Sequence, residues 1–344
     1  MIFGRAAHAA LETRAEEEVI MRRLTHGLIV GLILFGCLLG LALAASAGEK
    51  FPSRSITLIV PYPPGGATDV VVRPLAEGAK KALGQNVVVE NRAGGGGAVG
   101  VGAIVGKKPD GYLLSVAVES LHRNAYLNKL PFDTVKDLTP VICFSGNLYG
   151  VLVRADSPDK TLKDLLERIK ANPGKLSYMA SGVGTSGHIA MEELAVKAGN
   201  LKLSHVPSKG DQESSAALLG GHVDFISTSS GFIPLVEAGQ LRLLATYGSK
   251  RAKKFPNVPT VAELGYGVIQ EAPIGVFGPK ELPADVVKVL HDAFKKAMDD
   301  PAFVGAMDQY QMPIIYQGPA EFAKYWAEAY VAAGEQVKKF IQHQ

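Results

Sequence analysis

Cysteine is almost missing from this 344-residue chain: only Cys37 and Cys143 are present. Cys37 falls in a segment read below as removable. That leaves Cys143, inside the apolar run Val141-Ile142-Cys143-Phe144, so no intrachain disulfide or thiolate metal site is available and a buried structural thiol is expected. A strong charge of either sign is missing too. The formal net charge of +3 gives no support to a nucleic-acid or membrane-surface partner. His122, His188, His205, His222 and His291 never form an H-x-x-x-H pair, so no metal is assigned. A G-x-S-x-G nucleophile elbow is absent. The nearest approach to a phosphate-binding P-loop, Gly106-Lys107-Lys108, has Val101 where a glycine is required and Lys108 where a hydroxyl is required. These absences leave no catalytic residue, metal or cofactor to name, so catalysis is unsupported rather than excluded.

Long apolar runs are confined to the amino end. Met21-Arg22-Arg23 opens a basic stretch, Leu28 to Leu43 is almost wholly apolar, and Ala45-Ser46-Ala47 is a small-x-small cleavage site. The run is short for a membrane span. Residues 1–47 are therefore read as an upstream extension plus a cleavable export signal, with the mature chain beginning near Gly48. Leu34-Phe35-Gly36-Cys37 is the lipoprotein alternative, weakened by the bulk of Phe35. The four basic and four acidic residues of this segment cancel.

What the chain has in quantity is glycine, placed where strands hand over to helices. Pro61-Tyr62-Pro63-Pro64-Gly65-Gly66-Ala67-Thr68-Asp69 follows the β-branched run Ser55 to Val60, and Ser181-Gly182-Val183-Gly184-Thr185-Ser186-Gly187 follows Leu176 to Ala180. A helix start carries free N–H donors and a partial positive charge, and glycine lets a ligand approach the backbone. Each loop is thus a candidate cradle for a carboxylate or phosphate. Asp69 is expected to fix the N–H groups of its own loop, and His188 to occupy the first helical turn behind the second loop.

Further runs at Val87 to Val89, Leu113 to Val118, Val151 to Val153, Leu203 to Val206, Val223 to Ile226, Leu241 to Thr246 and Ile274 to Phe277 read as buried strands alternating with helices. That alternation gives an α/β class with mainly parallel sheets. Thr161 with Asp164 predicts a capped helix ending at Asn172-Pro173-Gly174. Val286, Val289, Leu290, Ala293, Phe294 and Ala297 line one helical face, and Pro319 opens a last helix carrying Phe322, Tyr325 and Trp326. Gly95 to Gly100 and Gly182 to Gly187 both satisfy G-x-G-x-x-G, so an exported enzyme acting on a nucleotide or other anionic substrate is the alternative of a different class.

The ordered set formed by Pro61 to Asp69, Val89 to Gly97, His205-Val206-Pro207-Ser208-Lys209-Gly210, Leu219 to Asp224, Val236 to Leu241 and Pro256 to Glu263 resembles the Bug-type solute receptors of tripartite tricarboxylate transporters. The resemblance spans nearly all the chain after the export signal. It implies a monomeric, two-lobed periplasmic-binding-protein-like receptor that captures a small carboxylate in the interlobe cleft and presents it to membrane permease subunits. A receptor serving a membrane sensor is the variant of that reading. Lobe 1 would combine residues 48–148 with 271–344, and lobe 2 would be 149–270, the lobes joined by crossing strands. Matched residue by residue, the ligand loops are Pro64, Gly65, Gly66, Ala67, Thr68 and Asp69 on one side, and Ser181, Gly182, Gly184, Thr185 and Ser186 on the other. Ser120, His188 and Ser229 are further candidates. Ser208 stands where the family usually has Tyr, and Pro74 falls inside the helix after the first loop, where it removes a hydrogen bond and predicts a kink unless the helix restarts there.

Overall fold

The computed structural model describes Met21 and residues 50–341. Apart from Met21, the expected export segment, its cleavage site and Cys37 lie outside the described residues. The described residues from Phe51 onward form one compact unit.

Strands and helices alternate. The first series is β1 (Ile56–Val60), α1 (Ala67–Leu83), β2 (Val87–Asn91), α2 (Ala98–Gly102), β3 (Leu113–Val118), α3 (Ser120–Leu127) and β4 (Leu138–Gly146). The second is β5 (Tyr149–Arg154), α4 (Leu162–Ala171), β6 (Ser177–Ala180), α5 (Ser186–Lys197), β7 (Ser204–Pro207), α6 (Asp211–Leu219), β8 (Phe225–Ser229), α7 (Ile233–Glu237) and β9 (Leu241–Thr246). The chain closes with β10 (Pro273–Pro279), α8 (Ala284–Ala297), α9 (Pro301–Gln309) and α10 (Pro319–Phe340).

These strands form two five-stranded sheets, ordered β2-β1-β3-β10-β4 and β7-β6-β8-β5-β9. In the first, β1 pairs in parallel with β2 (Ile56 opposite Val87) and β3 (Thr57 opposite Leu113), while β10 runs antiparallel between β3 and β4. In the second, β6 pairs in parallel with β7 and β8, while β5 runs antiparallel between β8 and β9. Four strands of each sheet therefore point one way. The reversed strand in each, β10 or β5, is the one by which the chain enters from the other sheet.

Helices cover both faces of the central strands, which explains their unbroken apolar runs: β10 is buried at all seven positions and β3 at all but the first. The edge strand β2 instead alternates buried and exposed residues. Helix α8 buries Val286, Leu290, Ala293, Phe294 and Ala297 but leaves Val289, at the margin of that stripe, 37% exposed. Pro74 does not restart α1, which runs through it as one helix. The Thr161–Asp164 capping box opens α4 as expected.

Two crossings link the sheets. Asn147 and Leu148 alone separate β4 from β5, and residues 247–272 carry the return. They lie side by side: Asn147 N–H donates to the Ala272 carbonyl at 3.2 Å and Tyr247 N–H to the Tyr149 carbonyl at 2.9 Å. Among the described residues no helix is long and apolar enough to cross a membrane.

Candidate functional site

A cavity of about 30 Å³ sits beside the first crossing, lined by Tyr62, Pro63, Gly66, Ala67, Thr68, Val118, Ser120, Asn147, Tyr149, Ser181, Thr185, Gly210, Asp211, Gln212 and Ser229. Its walls are helix starts. Gly66 precedes α1, Ser120 opens α3, Thr185 precedes α5 and Gly210 precedes α6. None of these four helices carries a side-chain cap. Away from the cavity, α4 and α9 are capped by Thr161 and Asp300. The uncapped first-turn N–H groups keep their partial positive charge for a solute, and among the lining residues there is no lysine, arginine, histidine or cysteine. An anion here meets backbone dipoles and hydroxyls, with the Asp211 carboxylate as the one acidic side chain of the lining. A larger groove of about 560 Å³, bordered by Leu148, Lys250, Glu271, Asp308 and Met312, shares Asn147 with this cavity but meets none of those helix starts.

The first loop is held open by its own acid. Gly65 takes φ +77°, a left-handed backbone that suits glycine, and its N–H donates to Asp69 Oδ2 at 2.8 Å. Arg73 and Asn91 also donate to that carboxylate, at 2.9 and 2.8 Å. Burial alone would raise the Asp69 carboxyl, but these three hydrogen-bond partners hold it below the ordinary value. Asp69 thus shapes the loop and faces away from the cavity. Pro64 and Gly65 are exposed, and the Pro64 carbonyl accepts from Gln212 Nε2 at 3.4 Å.

The second loop is fixed from the opposite side. Arg123 Nε donates to the Gly184 carbonyl at 2.8 Å, Nη2 to Ser186 Oγ at 2.6 Å and Nη1 to Glu119 Oε1 at 3.0 Å. Thr185 Oγ1 donates to the Gly182 carbonyl at 2.8 Å. Gly187 lies so close to β8 that a Cβ there would come within 2.3 Å of the Ser227 carbonyl oxygen, which seats the start of α5 against that strand.

His188 lies behind this loop, not in the cavity. Its Nδ1 accepts from the Gly184 N–H at 3.0 Å and its ring stacks on His205 with centroids 4.0 Å apart. Burial, with His205 and Arg123 nearby, pulls His188 down to about 3, so the ring is neutral near pH 7.

Of the residues expected from sequence, Gly66, Ala67, Thr68, Ser120, Ser181, Thr185 and Ser229 come together around the cavity, whereas Pro64, Gly65, Asp69, Gly182, Gly184, Ser186 and His188 support it from behind or beside. Ser208 bonds to the Ala180 carbonyl and Ser214 Oγ instead of lining it. Lys209 is exposed.

Sequence reasoning missed Tyr62, Pro63, Val118, Asn147, Tyr149, Gly210, Asp211 and Gln212 as lining residues. Asp211 matters most. Its carboxylate accepts from Ser181 Oγ at 2.9 Å, Thr228 Oγ1 at 2.5 Å and Ser229 Oγ at 2.5 Å. The signal available was an acid directly after Gly210 at a helix start. Tyr62 and Tyr149 place hydroxyls nearby, and burial raises both phenols, so they stay protonated donors.

The model of the tripartite tricarboxylate transporter family receptor (TctC) matches residues 71–342. Among curated relatives, the "UPF0065 protein in gbd 5'region" of Cupriavidus necator is 44% identical over 292 residues, 84% of this chain and 89% of that one. Protein BugT of Bordetella pertussis is 33% identical over 312 residues, 88% and 89% of the two chains. Among solved structures, one described as a periplasmic transporter superposes with a TM-score of 0.80 at 36% identity, covering 84% of this chain and 98% of that one. MatC of Rhodopseudomonas palustris with bound malate gives 0.78 at 26% identity, covering 83% and 100%.

Proposed function

The chain belongs to the tripartite tricarboxylate transporter receptor family, and from that membership we propose that it is an exported solute receptor that captures a small carboxylate and delivers it to the membrane subunits of a tripartite transporter. The observation that carries this reading is the convergence of four uncapped helix starts on one cavity without a cationic side chain. A carboxylate lying there takes hydrogen bonds from the first turns of α1 and α5 and from the hydroxyls of Thr68 and Ser120. Malate bound to the MatC relative is consistent with that solute class.

The two sheets then serve as lobes, residues 48–148 with 271–344 and residues 149–270, hinged at Asn147-Leu148 and at the return through residues 247–272. A cavity of about 30 Å³ has room for about two water molecules, at roughly 10–15 Å³ each. A solute of several carbons therefore enters with the lobes parted, and closure supplies selectivity and a shape that a permease recognises. Capture asks for no chemistry on the solute.

The test is thermal unfolding of the purified protein against a set of carboxylates, with NAD and ATP as controls. A ligand at about 100 times its dissociation constant stabilises by roughly 2.7 kcal/mol. A response confined to carboxylates supports the receptor. A response to a nucleotide, or turnover of any carboxylate, overturns it. Uptake of the responding carboxylate by cells lacking this chain then tests delivery, which predicts loss of uptake.

A further inference from the structure

Asp211 is about nine-tenths buried and lines the cavity, yet no lysine, arginine or histidine among the described residues pairs with it. Its three partners are the neutral hydroxyls of Ser181, Thr228 and Ser229. An ionised carboxylate offers about four lone-pair positions, so one stays open after these bonds. The geometry has a second consequence. Each hydroxyl spends its only hydrogen on Asp211, so the oxygens of Ser181 and Ser229 turn lone pairs toward the cavity. Asn147, which also lines it and is 2% exposed, has an Oδ1 that is buried with no hydrogen-bond partner among the described residues. One wall of the cavity therefore presents acceptors and a negative charge.

The lining at the start of α1 has the reverse character. It is built from the uncapped start of α1 at Gly66, Ala67 and Thr68, and the nearest acid on that side, Asp69, is turned away into Gly65, Arg73 and Asn91. The lining thus combines a donor group at the α1 start with an acceptor group around Asp211. A solute carboxylate fits at the α1 start, while a second carboxylate against Asp211 meets a like charge in a desolvated site.

We infer that the captured solute is a zwitterion, a small carboxylate carrying a protonated amine that lies between Asp211 and Asn147. An ammonium group has three donors and no acceptor, which matches this wall group for group. It also supplies the cation that Asp211 lacks within the protein. The inference rests on the receptor reading and narrows its solute class.

The experiment is isothermal titration of the purified protein with matched triples that differ only at the α-carbon: aspartate, malate and succinate; alanine, lactate and propionate; phenylalanine, phenyllactate and phenylpropionate. The same set is then titrated into D211N. The expected result is that within the skeleton that fits, the amino member binds about tenfold or more tighter than its hydroxy and unsubstituted counterparts, as a charge-assisted hydrogen bond in a buried site predicts. D211N should remove that preference. Tightest binding by a hydroxy or unsubstituted acid overturns the zwitterion inference and leaves the receptor reading standing. An amino preference that survives in D211N overturns the role of Asp211. Absence of binding by all nine compounds overturns both. If D211N does not fold, the ranking in the unsubstituted protein decides.

Discussion

The Arg123 guanidinium, fully buried, donates to Ser186 Oγ at 2.6 Å and so ties α3, beside the first sheet, to the start of α5, beside the second. The same group holds the Gly184 carbonyl, Glu119 Oε1 and Gln336 Oε1 at 2.8, 3.0 and 2.9 Å. Four partnered N–H groups in a rigid fork are something a lysine cannot reproduce. Arg123→Met should therefore destabilise the protein by about 3 kcal/mol or more, since it leaves buried polar groups unpaired, and Arg123→Lys should not rescue it. Urea unfolding midpoints measure this. A loss below about 1 kcal/mol would mean that the guanidinium does not join the two helices.

Gly65 and Gly66 are neighbours with opposite demands. Gly66 has φ −72°, ordinary for any residue, and a Cβ there would meet the Pro63 carbonyl oxygen at 3.4 Å, an ordinary contact. Gly66→Val is expected to fold normally and to bind its carboxylate at least about tenfold more weakly, because the added methyls stand between the solute and the N–H groups of α1. Gly65→Ala should do the reverse. At φ +77° it costs roughly 1 kcal/mol of stability, and its side chain lies outside the cavity. Paired unfolding and titration measurements on the two variants separate the effects; equal losses in both assays for both variants would sink the distinction.

Both loops were legible because a strand, a glycine cluster and a helix start follow one another within a few residues, a local pattern. The strands Leu113–Val118 and Leu241–Thr246 coincide with the runs read from sequence. Strand β4 was not read as one, since Pro140 stands near its start and Ser145-Gly146 at its end. The structure puts it at a sheet edge, where a residue without an N–H is tolerated. Asp211 was illegible for a different reason. Its partners come from β8 and from the end of β6, 17 to 30 residues away in the chain, and no local pattern encodes that meeting. Asn147 and Tyr149 flank the lobe boundary expected at residues 148 and 149, but nothing there told which side chains face inward.

The Asp69 carboxylate links three parts of the first loop region: Gly65, the α1 face at Arg73 and the β2 residue Asn91. Asp69→Ala should lower stability by about 1 to 3 kcal/mol, the range for stripping partners from a buried acceptor, and weaken solute binding because Gly65 loses its anchor. Asn91→Ala should cost less, since Gly65 and Arg73 keep their bonds. The lowered folded pKa means that the contribution of Asp69 is present above its ordinary value of 3.8 and is lost as pH falls through the folded value. Stability of Asp69→Ala equal to that of the parent at pH 7 would show that the carboxylate does not organise the loop.

His122 should make the protein sensitive to mild acid well above that range. Its ring is fully buried, packs at a tilt of 53° against Trp326 with centroids 4.2 Å apart, and is bonded through Nδ1 to Thr134 Oγ1 at 2.8 Å, while Nε2 has no partner among the described residues. Burial, reinforced by Arg123 and partly opposed by Asp133, brings it from 6.5 to about 3. Between those values the unfolded chain binds a proton that the folded chain refuses, so stability falls as pH drops through the window, by up to about 1.4 kcal/mol per pH unit from this one group. His188 and His205, lowered to about 3 and about 4, act in the same direction. His122→Phe keeps the ring packing and removes the titrating group. Its stability at pH 7 should lie within about 1 kcal/mol of the parent, and its unfolding midpoint should decline less steeply from pH 6.5 to pH 4. Parallel profiles for the two proteins would show that the His122 ring takes up its proton inside the fold.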